Sequence, residues 1–75
     1  MSWRITHSDE SRTFERFDFD NGDYVNVCEA LPTVDGRNGY RWQAFLSGST
    51  KYARRGYTKT RQEAKRVGLD VARRL

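Results

Sequence analysis

The chain has 75 residues, a formal net charge of +4, 36% hydrophobic residues and 13% aromatic residues. A chain this short is expected to form one domain, residues 1–75, with a small core in which aromatic rings supply much of the mass. Cys28 and His7 are the only residues of their types, and no Gly-rich phosphate loop is present. The side chains needed for an internal disulfide, a multi-cysteine zinc site or a catalytic nucleophile with its base are therefore missing. We predict that the protein is not an enzyme and has no metal site and no cofactor.

Charge is divided unevenly along the chain. Residues 1–38 carry four basic and eight acidic side chains, whereas residues 39–75 carry ten basic side chains against two acidic ones, so the halves have net charges of −4 and +8. Solubility alone does not require such sorting, and it favours a polyanionic partner for the second half. The chain lacks an apolar segment long enough for a signal peptide or a membrane span, so a cytoplasmic protein without a membrane partner is expected.

The first two strands are predicted from the alternation of side chains. Residues 3–8 alternate in character, and Phe17 and Phe19 are separated by Asp18. This period of two is typical of strands. His7 has no potential metal ligand at coordinating spacing, so we expect it to be a partly exposed strand residue.

A tight hairpin is predicted between the second and third strands. Asn21 and Gly22 both tolerate the positive φ angles of a two-residue type I′ turn. The third strand should span Tyr24–Leu31 and end at Pro32. Cys28 on this strand is expected to be a buried apolar side chain, because no histidine lies near it in sequence to activate its thiol.

Two more strands follow a glycine-containing loop at residues 35–39. The strand Tyr40–Ser47 should place Tyr40, Trp42, Ala44 and Leu46 on one face and Arg41, Gln43, Phe45 and Ser47 on the other. A short turn then leads into a last strand over Lys51–Thr58. Because parallel neighbours need long crossover segments, these short spacings predict an antiparallel meander of four or five strands.

A C-terminal helix of about residues 60–75 completes the predicted α+β fold. Thr60 and Glu63 have the spacing of a capping box. The apolar stripe that follows consists of Ala64, Val67, Gly68, Val71 and Leu75. Since Gly68 weakens a helix, we expect a large ring, that of Trp42, to cross the helix closely there.

Basic and aromatic side chains are interleaved in the second half of the chain. Arginine suits phosphate or guanine, and aromatic rings suit stacking on bases. The predicted nucleic-acid-binding residues are Arg41, Gln43, Arg54, Arg55, Lys59, Arg61, Lys65 and Arg66. If six to eight cations contact phosphates, log affinity should fall against log salt with a slope of roughly −5 to −7. The simpler interpretation is a solvated basic helix face.

The segment Gly56–Arg66 has an aromatic strand ending, a Thr-containing turn and a Glu-Ala step that opens the helix. With the three strands and one helix predicted over residues 24–75, it resembles the plant AP2 domain and the N-terminal DNA-binding domains of phage integrases. In that family the sheet enters the major groove of duplex DNA. The resemblance implies groove-facing roles for Arg41 and Gln43 on the middle strand and for Arg54 or Arg55 on the last.

The same tail is similar to the last strand and helix of double-stranded-RNA-binding domains. Arg61, Ala64 and Lys65 match the basic cluster that opens their helix, but Gln62 stands where a second cation is expected. That fold also begins with a helix, whereas residues 1–20 predict strands. Duplex DNA is therefore favoured over RNA as the partner.

The acidic half allows a second function. Its carboxylates would repel DNA and could meet a basic protein surface, as in a small phage-type or accessory protein that inhibits or adapts a larger host complex. These residues are Asp9, Glu10, Glu15, Asp18, Asp20, Asp23, Glu29 and Asp35. Self-association through an edge strand is a third possibility, although residues 1–8 are polar enough to discourage it.

Overall fold

The computed structural model describes residues 2–75 and has the predicted α+β architecture. Five strands form one antiparallel sheet in the order β1-β2-β3-β4-β5, and the C-terminal helix packs against β3, β4 and β5. The elements are β1 (Arg4–Ser8), β2 (Thr13–Asp18), β3 (Tyr24–Glu29), α1 (Pro32–Asp35), β4 (Tyr40–Phe45), β5 (Arg54–Thr58) and α2 (Arg61–Ala72). The antiparallel meander and its covering helix are therefore confirmed.

The core lies between α2 and one face of the sheet. Its buried members are Val25, Val27, Trp42, Ala44, Ala64 and Ala72. A Cβ atom at Gly68 would lie 2.8 Å from Val25 Cγ1 and 3.3 Å from Trp42 Cβ. The helix can approach the sheet this closely only because position 68 has no side chain. The expected approach of Trp42 is confirmed, and Val25 lies even nearer.

Trp42 also covers the edge strand β5. It is the cross-strand partner of Gly56, and a Cβ atom at Gly56 would lie 2.6 Å from Trp42 Cζ2. The indole ring thus occupies the space that a side chain at position 56 would need. Gly56 attaches β5 to the core by allowing this contact.

The hairpin between β2 and β3 forms, but the prediction of a two-residue type I′ turn is wrong. Gly22 has a positive φ of 94°, whereas Asn21 does not. The loop is longer, because Gly22 N donates to Phe19 O (3.0 Å) and Phe19 N donates to Asp23 O (2.9 Å). Asn21 Oδ1 accepts from Asp23 N, and Asp23 Oδ1 accepts from Ser47 N, both at 2.9 Å. These side-chain bonds stabilise the longer loop.

Four predicted element boundaries change, and one of them is the end of α2 at Ala72, which leaves Leu75 of the predicted stripe outside the helix and 42% exposed. β3 ends at Glu29, and Pro32 begins the short helix α1, in which Asp35 Oδ2 accepts from Leu31 N (2.9 Å). Proline suits a first helical position because the missing N–H has no partner there. β4 ends at Phe45, and β5 begins only at Arg54.

Three single-residue predictions are confirmed. Thr60 caps α2, since its hydroxyl accepts from Glu63 N at 3.2 Å. Cys28 is 2% exposed, and burial raises the pKa of its thiol. His7 is an exposed strand residue beside Asp9 (3.2 Å).

In residues 2–75 no group of three or more His, Cys, Asp or Glu side chains is arranged to hold a metal ion, and no helix in that range could cross a membrane.

Candidate nucleic-acid interface

The face of the sheet opposite α2 is the candidate interface, and we call it the open face. Cross-strand pairing places five polar side chains at one level of this face, one on each strand. We call this set the polar row: Arg4, Arg16, Asn26, Gln43 and Arg55. It arises because antiparallel partners in register always point to the same side of a sheet.

Aromatic rings lie on one side of the polar row. Tyr24 and Phe45 are stacked with ring centroids 4.5 Å apart, and the Arg16 guanidinium lies 3.7 Å from the Tyr24 centroid. Arg16 is held by Asp18 at 2.8 Å, and Arg4 pairs with the same carboxylate at 3.1 Å. One carboxylate therefore holds both arginines at the β1–β2 end of the row and balances one of their two charges.

A continuous line of cations and rings lies at the other end of the row. Arg37 lies 4.5 Å from the Tyr57 ring centroid, and Arg55 lies 6.0 Å from Tyr57 and 5.0 Å from Tyr52. We call these four residues the basic–aromatic cluster. Across the described part of the chain, neither Arg37 nor Arg55 forms a salt bridge, so both charges are available to a ligand.

Asp35 fixes the position of Tyr57 and Arg41. Its Oδ1 accepts from Arg41 Nη1 (3.0 Å) and from the Tyr57 hydroxyl (3.1 Å), and its side chain is 2% exposed. Burial opposes ionisation, but the Leu31 amide, the Tyr57 hydroxyl and the Arg41 charge together lower the pKa of Asp35. Burial and this carboxylate raise the pKa of Tyr57, which keeps its hydroxyl protonated as a donor.

Two of the predicted nucleic-acid-binding residues, Arg61 and Lys65 on α2, point toward carboxylates in the first half of the chain. Arg61 pairs with Glu15 (2.9 Å) and Glu29 (2.8 Å), and Lys65 pairs with Glu15 (2.7 Å). Glu29 also accepts from Thr13 N at 2.8 Å; burial opposes its ionisation, but these donors lower its pKa. These pairs join the first two strands to the helix, so Arg61 and Lys65 serve the fold.

The structure brings some of the predicted binding residues together and separates others. Gln43 and Arg55 are cross-strand neighbours on the open face, whereas Arg41 on that face is committed to Asp35. Lys59 lines a groove of about 540 Å³ that also includes Arg37 and Tyr57. Arg54 is exposed and in register with core-facing Ala44, and Arg66 is exposed on α2. The eight residues therefore do not form one surface.

Several residues of the open face escaped the sequence analysis. Asn26 and Arg16 belong to the polar row, and Arg37 belongs to the basic–aromatic cluster. Lys51 lines a groove of about 570 Å³ beside Gln43. The alternation of β3 could have indicated Asn26, since residues 24, 26 and 28 share a face. Nothing in the local sequence indicates that Arg37, in a loop, reaches Tyr57.

Most of the acidic side chains of the first half have partners within the protein. Six of the eight accept hydrogen bonds from described residues: Asp9, Glu15, Asp18, Asp23, Glu29 and Asp35. Glu10 and Asp20 are exposed. The acidic residues thus contribute to loop geometry and to ion pairs with α2, and no observation favours an acidic docking track.

Comparison with known proteins does not identify a family. No family model matches the chain, and neither curated proteins nor solved structures give a significant match. The resemblance to AP2 and double-stranded-RNA-binding domains therefore stays a prediction.

Proposed function

We propose that the protein binds nucleic acid, with duplex DNA as the favoured form, through the β4–β5 side of its open face. The observation that carries this proposal is the basic–aromatic cluster, in which the unpaired cations Arg37 and Arg55 alternate with Tyr52 and Tyr57. Arginine binds phosphate oxygens with two parallel hydrogen bonds, and tyrosine rings pack against sugars and bases. A surface of this chemistry attracts a polyanion that also exposes aromatic groups.

The shape of this region favours the duplex. The major groove of B-form DNA is about 12 Å wide and admits a two-stranded β-ribbon, whereas the major groove of A-form RNA is too narrow for side chains to read. β4 and β5 are two adjacent antiparallel strands at the edge of the sheet, and α2 covers only their opposite face. The α1 loop contacts the open face of this ribbon at Arg41 and Tyr57, and the part around Gln43 and Arg55 remains accessible to a groove.

The ion pairs revise the expected dependence on salt. Of the ten cations in residues 39–75, four form salt bridges, namely Arg41, Arg61, Lys65 and Arg74. On the open face of the β4–β5 side, the cations without a salt bridge are Arg37, Lys51, Arg55 and Lys59. Four phosphate contacts correspond to a slope of about −3.6 in log affinity against log salt. This is shallower than the slope of roughly −5 to −7 expected for six to eight phosphate contacts.

The test is fluorescence anisotropy with labelled duplex DNA, single-stranded DNA and duplex RNA between about 50 and 200 mM salt. We expect the tightest binding to duplex DNA and a slope near the value above. Arg55→Ala should weaken binding by about 1–3 kcal/mol. Arg73→Ala is the matched control, because it removes an equal charge that is exposed at the end of α2.

Three results would contradict, in turn, the assigned surface, the function and the choice of ligand. Equal losses for Arg55→Ala and Arg73→Ala would show that only net charge matters and would overturn the assigned surface. Absence of a salt-dependent complex with all three nucleic acids would overturn the function itself. Tighter binding to duplex RNA than to duplex DNA would overturn the choice of ligand.

A further inference from the structure

Two carboxamides lie side by side at the centre of the open face. Asn26 on β3 and Gln43 on β4 are cross-strand partners, and both side chains are partly exposed. The side-chain hydrogen bonds formed among residues 2–75 involve neither of them. Each therefore presents a free N–H donor and a free carbonyl acceptor to whatever covers this face.

Asparagine is a poor choice for stability at this position. Asn is depleted in strands, where β-branched and aromatic residues pack better. β3 is the central strand of the sheet, and its neighbours in sequence, Val25 and Val27, are fully buried. A residue that breaks the local preference of a central strand marks a position at which something other than folding determines the side chain.

We propose that Asn26 and Gln43 read adenine in the major groove, an inference that rests on the proposed binding of duplex DNA. A carboxamide can donate to adenine N7 and accept from its N6 amino group at the same time, so Asn and Gln are the side chains that match this base. Adenine alone offers that acceptor and donor pair in the major groove.

A third side chain next to this pair, that of Arg55, can also contact a base edge, whereas the side chain on the other side of the pair, that of Arg16, cannot. Arg55 is the cross-strand partner of Gln43, it forms no salt bridge, and its guanidinium matches the O6 and N7 acceptors of guanine. On the other side of Asn26, Arg16 is committed to Asp18. Neighbouring strands lie about 4.8 Å apart, and base pairs about 3.4 Å apart, so these three side chains span a few adjacent base steps.

Aromatic rings and a lysine lie beside Asn26 and Gln43 on the open face. The stacked rings of Tyr24 and Phe45 lie one level away on the same two strands, and Phe45 is buried. Lys51 and Tyr52 line the groove that opens beside Gln43. Lys51 is therefore positioned to bind a backbone phosphate while Gln43 contacts a base edge.

The experiment is selection of duplexes from a random library, followed by anisotropy titration of the best sequence. We expect adenine to be enriched at adjacent positions, and its replacement by guanine to lower affinity by about 5- to 150-fold. Asn26→Thr and Gln43→Thr should abolish this preference, measured as the ratio of the affinities for the adenine duplex and the guanine duplex. Because Thr suits a strand, both variants should fold, and urea unfolding will verify this.

Gln62→Thr is the matched control, because it removes an exposed carboxamide from α2 and should preserve the preference for adenine. Selected duplexes without adenine enrichment, or an unchanged preference in Asn26→Thr and Gln43→Thr, would overturn the inference while duplex binding stands. Failure to bind any duplex would overturn the proposed function as well, so the two failures are distinguishable.

Discussion

The β1–β2 side and the β4–β5 side of the sheet differ in how their charged side chains are paired. On the β1–β2 side, carboxylates such as Glu15 and Asp18 accept hydrogen bonds from two cations each. On the β4–β5 side, cations such as Arg37 and Arg55 lie over tyrosine rings and have no carboxylate partner. Cations therefore stabilise the fold through ion pairs on the β1–β2 side, and on the β4–β5 side they stay available for a ligand.

This contrast follows from topology. Strand order equals chain order, so an acidic first half and a basic second half become opposite sides of one sheet. The helix α2 then returns across β3, and its residues Arg61 and Lys65 satisfy Glu15 and Glu29. The cations of β5 lie beyond the reach of those carboxylates. Charge sorting along the sequence therefore indicates a ligand only where the fold leaves the charge unpaired.

Acid should have the largest effect, because it removes many carboxylate contacts at once. Hydrogen bonding to Arg16 lowers the pKa of Asp18, and the donors around Asp35 and Glu29 lower the pKa of each despite burial. A folded-state pKa below the usual 3.8 or 4.5 means that the stabilisation is complete above those values. It is lost as pH falls further.

Urea unfolding measured down the pH scale will check this expectation. The free energy of unfolding should be flat near neutral pH and should fall below about pH 4.5. The decline should be shallower in Asp35→Asn, which has one fewer titrating carboxylate. A decline that begins well above that pH would contradict the assignment to these groups.

Asp35→Ala is the single substitution with the largest expected cost. It leaves the Arg41 guanidinium, 14% exposed, without its carboxylate and deprives the Tyr57 hydroxyl of its acceptor. Loss of one partner of a buried ion pair costs about 3–5 kcal/mol, measured here by urea unfolding. The control Asp20→Ala removes an exposed carboxylate and should cost less than about 0.5 kcal/mol. Equal costs would contradict the structural role of Asp35.

Gly56→Ala should destabilise the protein by about 1–3 kcal/mol, although alanine is ordinarily tolerated better than glycine in a strand. The new Cβ atom would lie 2.6 Å from the Trp42 indole. A double-mutant cycle with Trp42→Phe isolates this contact, because the smaller ring should reduce the cost of the methyl group. An identical cost in both backgrounds would show that Trp42 is not responsible.

Asp18→Asn should have the smallest effect on stability, below about 1 kcal/mol, because its pairs with Arg4 and Arg16 are partly exposed. It nevertheless frees two cations at the end of the polar row. We expect tighter and more salt-dependent binding of duplex DNA, measured by anisotropy. Unchanged binding would confine the interface to the β4–β5 side.

Local patterns were enough to predict the five strands and the C-terminal helix, but not the short helix α1. The alternation of β4 correctly separates Trp42 and Ala44 from Gln43 and Phe45, and Thr60 correctly begins α2. The turn at Asn21-Gly22 differs from the predicted type I′ turn, and Asp23 in this loop also accepts a hydrogen bond from Ser47 N, far along the chain. Boundaries and turns that depend on such distant contacts are not encoded in neighbouring residues.

The sequence by itself determined the order of the strands, the helix with its cap, the burial of Cys28 and the excess of cations in the second half, since each depends on local periodicity or on composition. Only the tertiary structure decided which cations are free. An ion pair such as Lys65 with Glu15 joins residues 50 positions apart, and it depends on how α2 lies on the sheet. The alignment of Asn26, Gln43 and Arg55 likewise depends on strand register, which three separate segments set together.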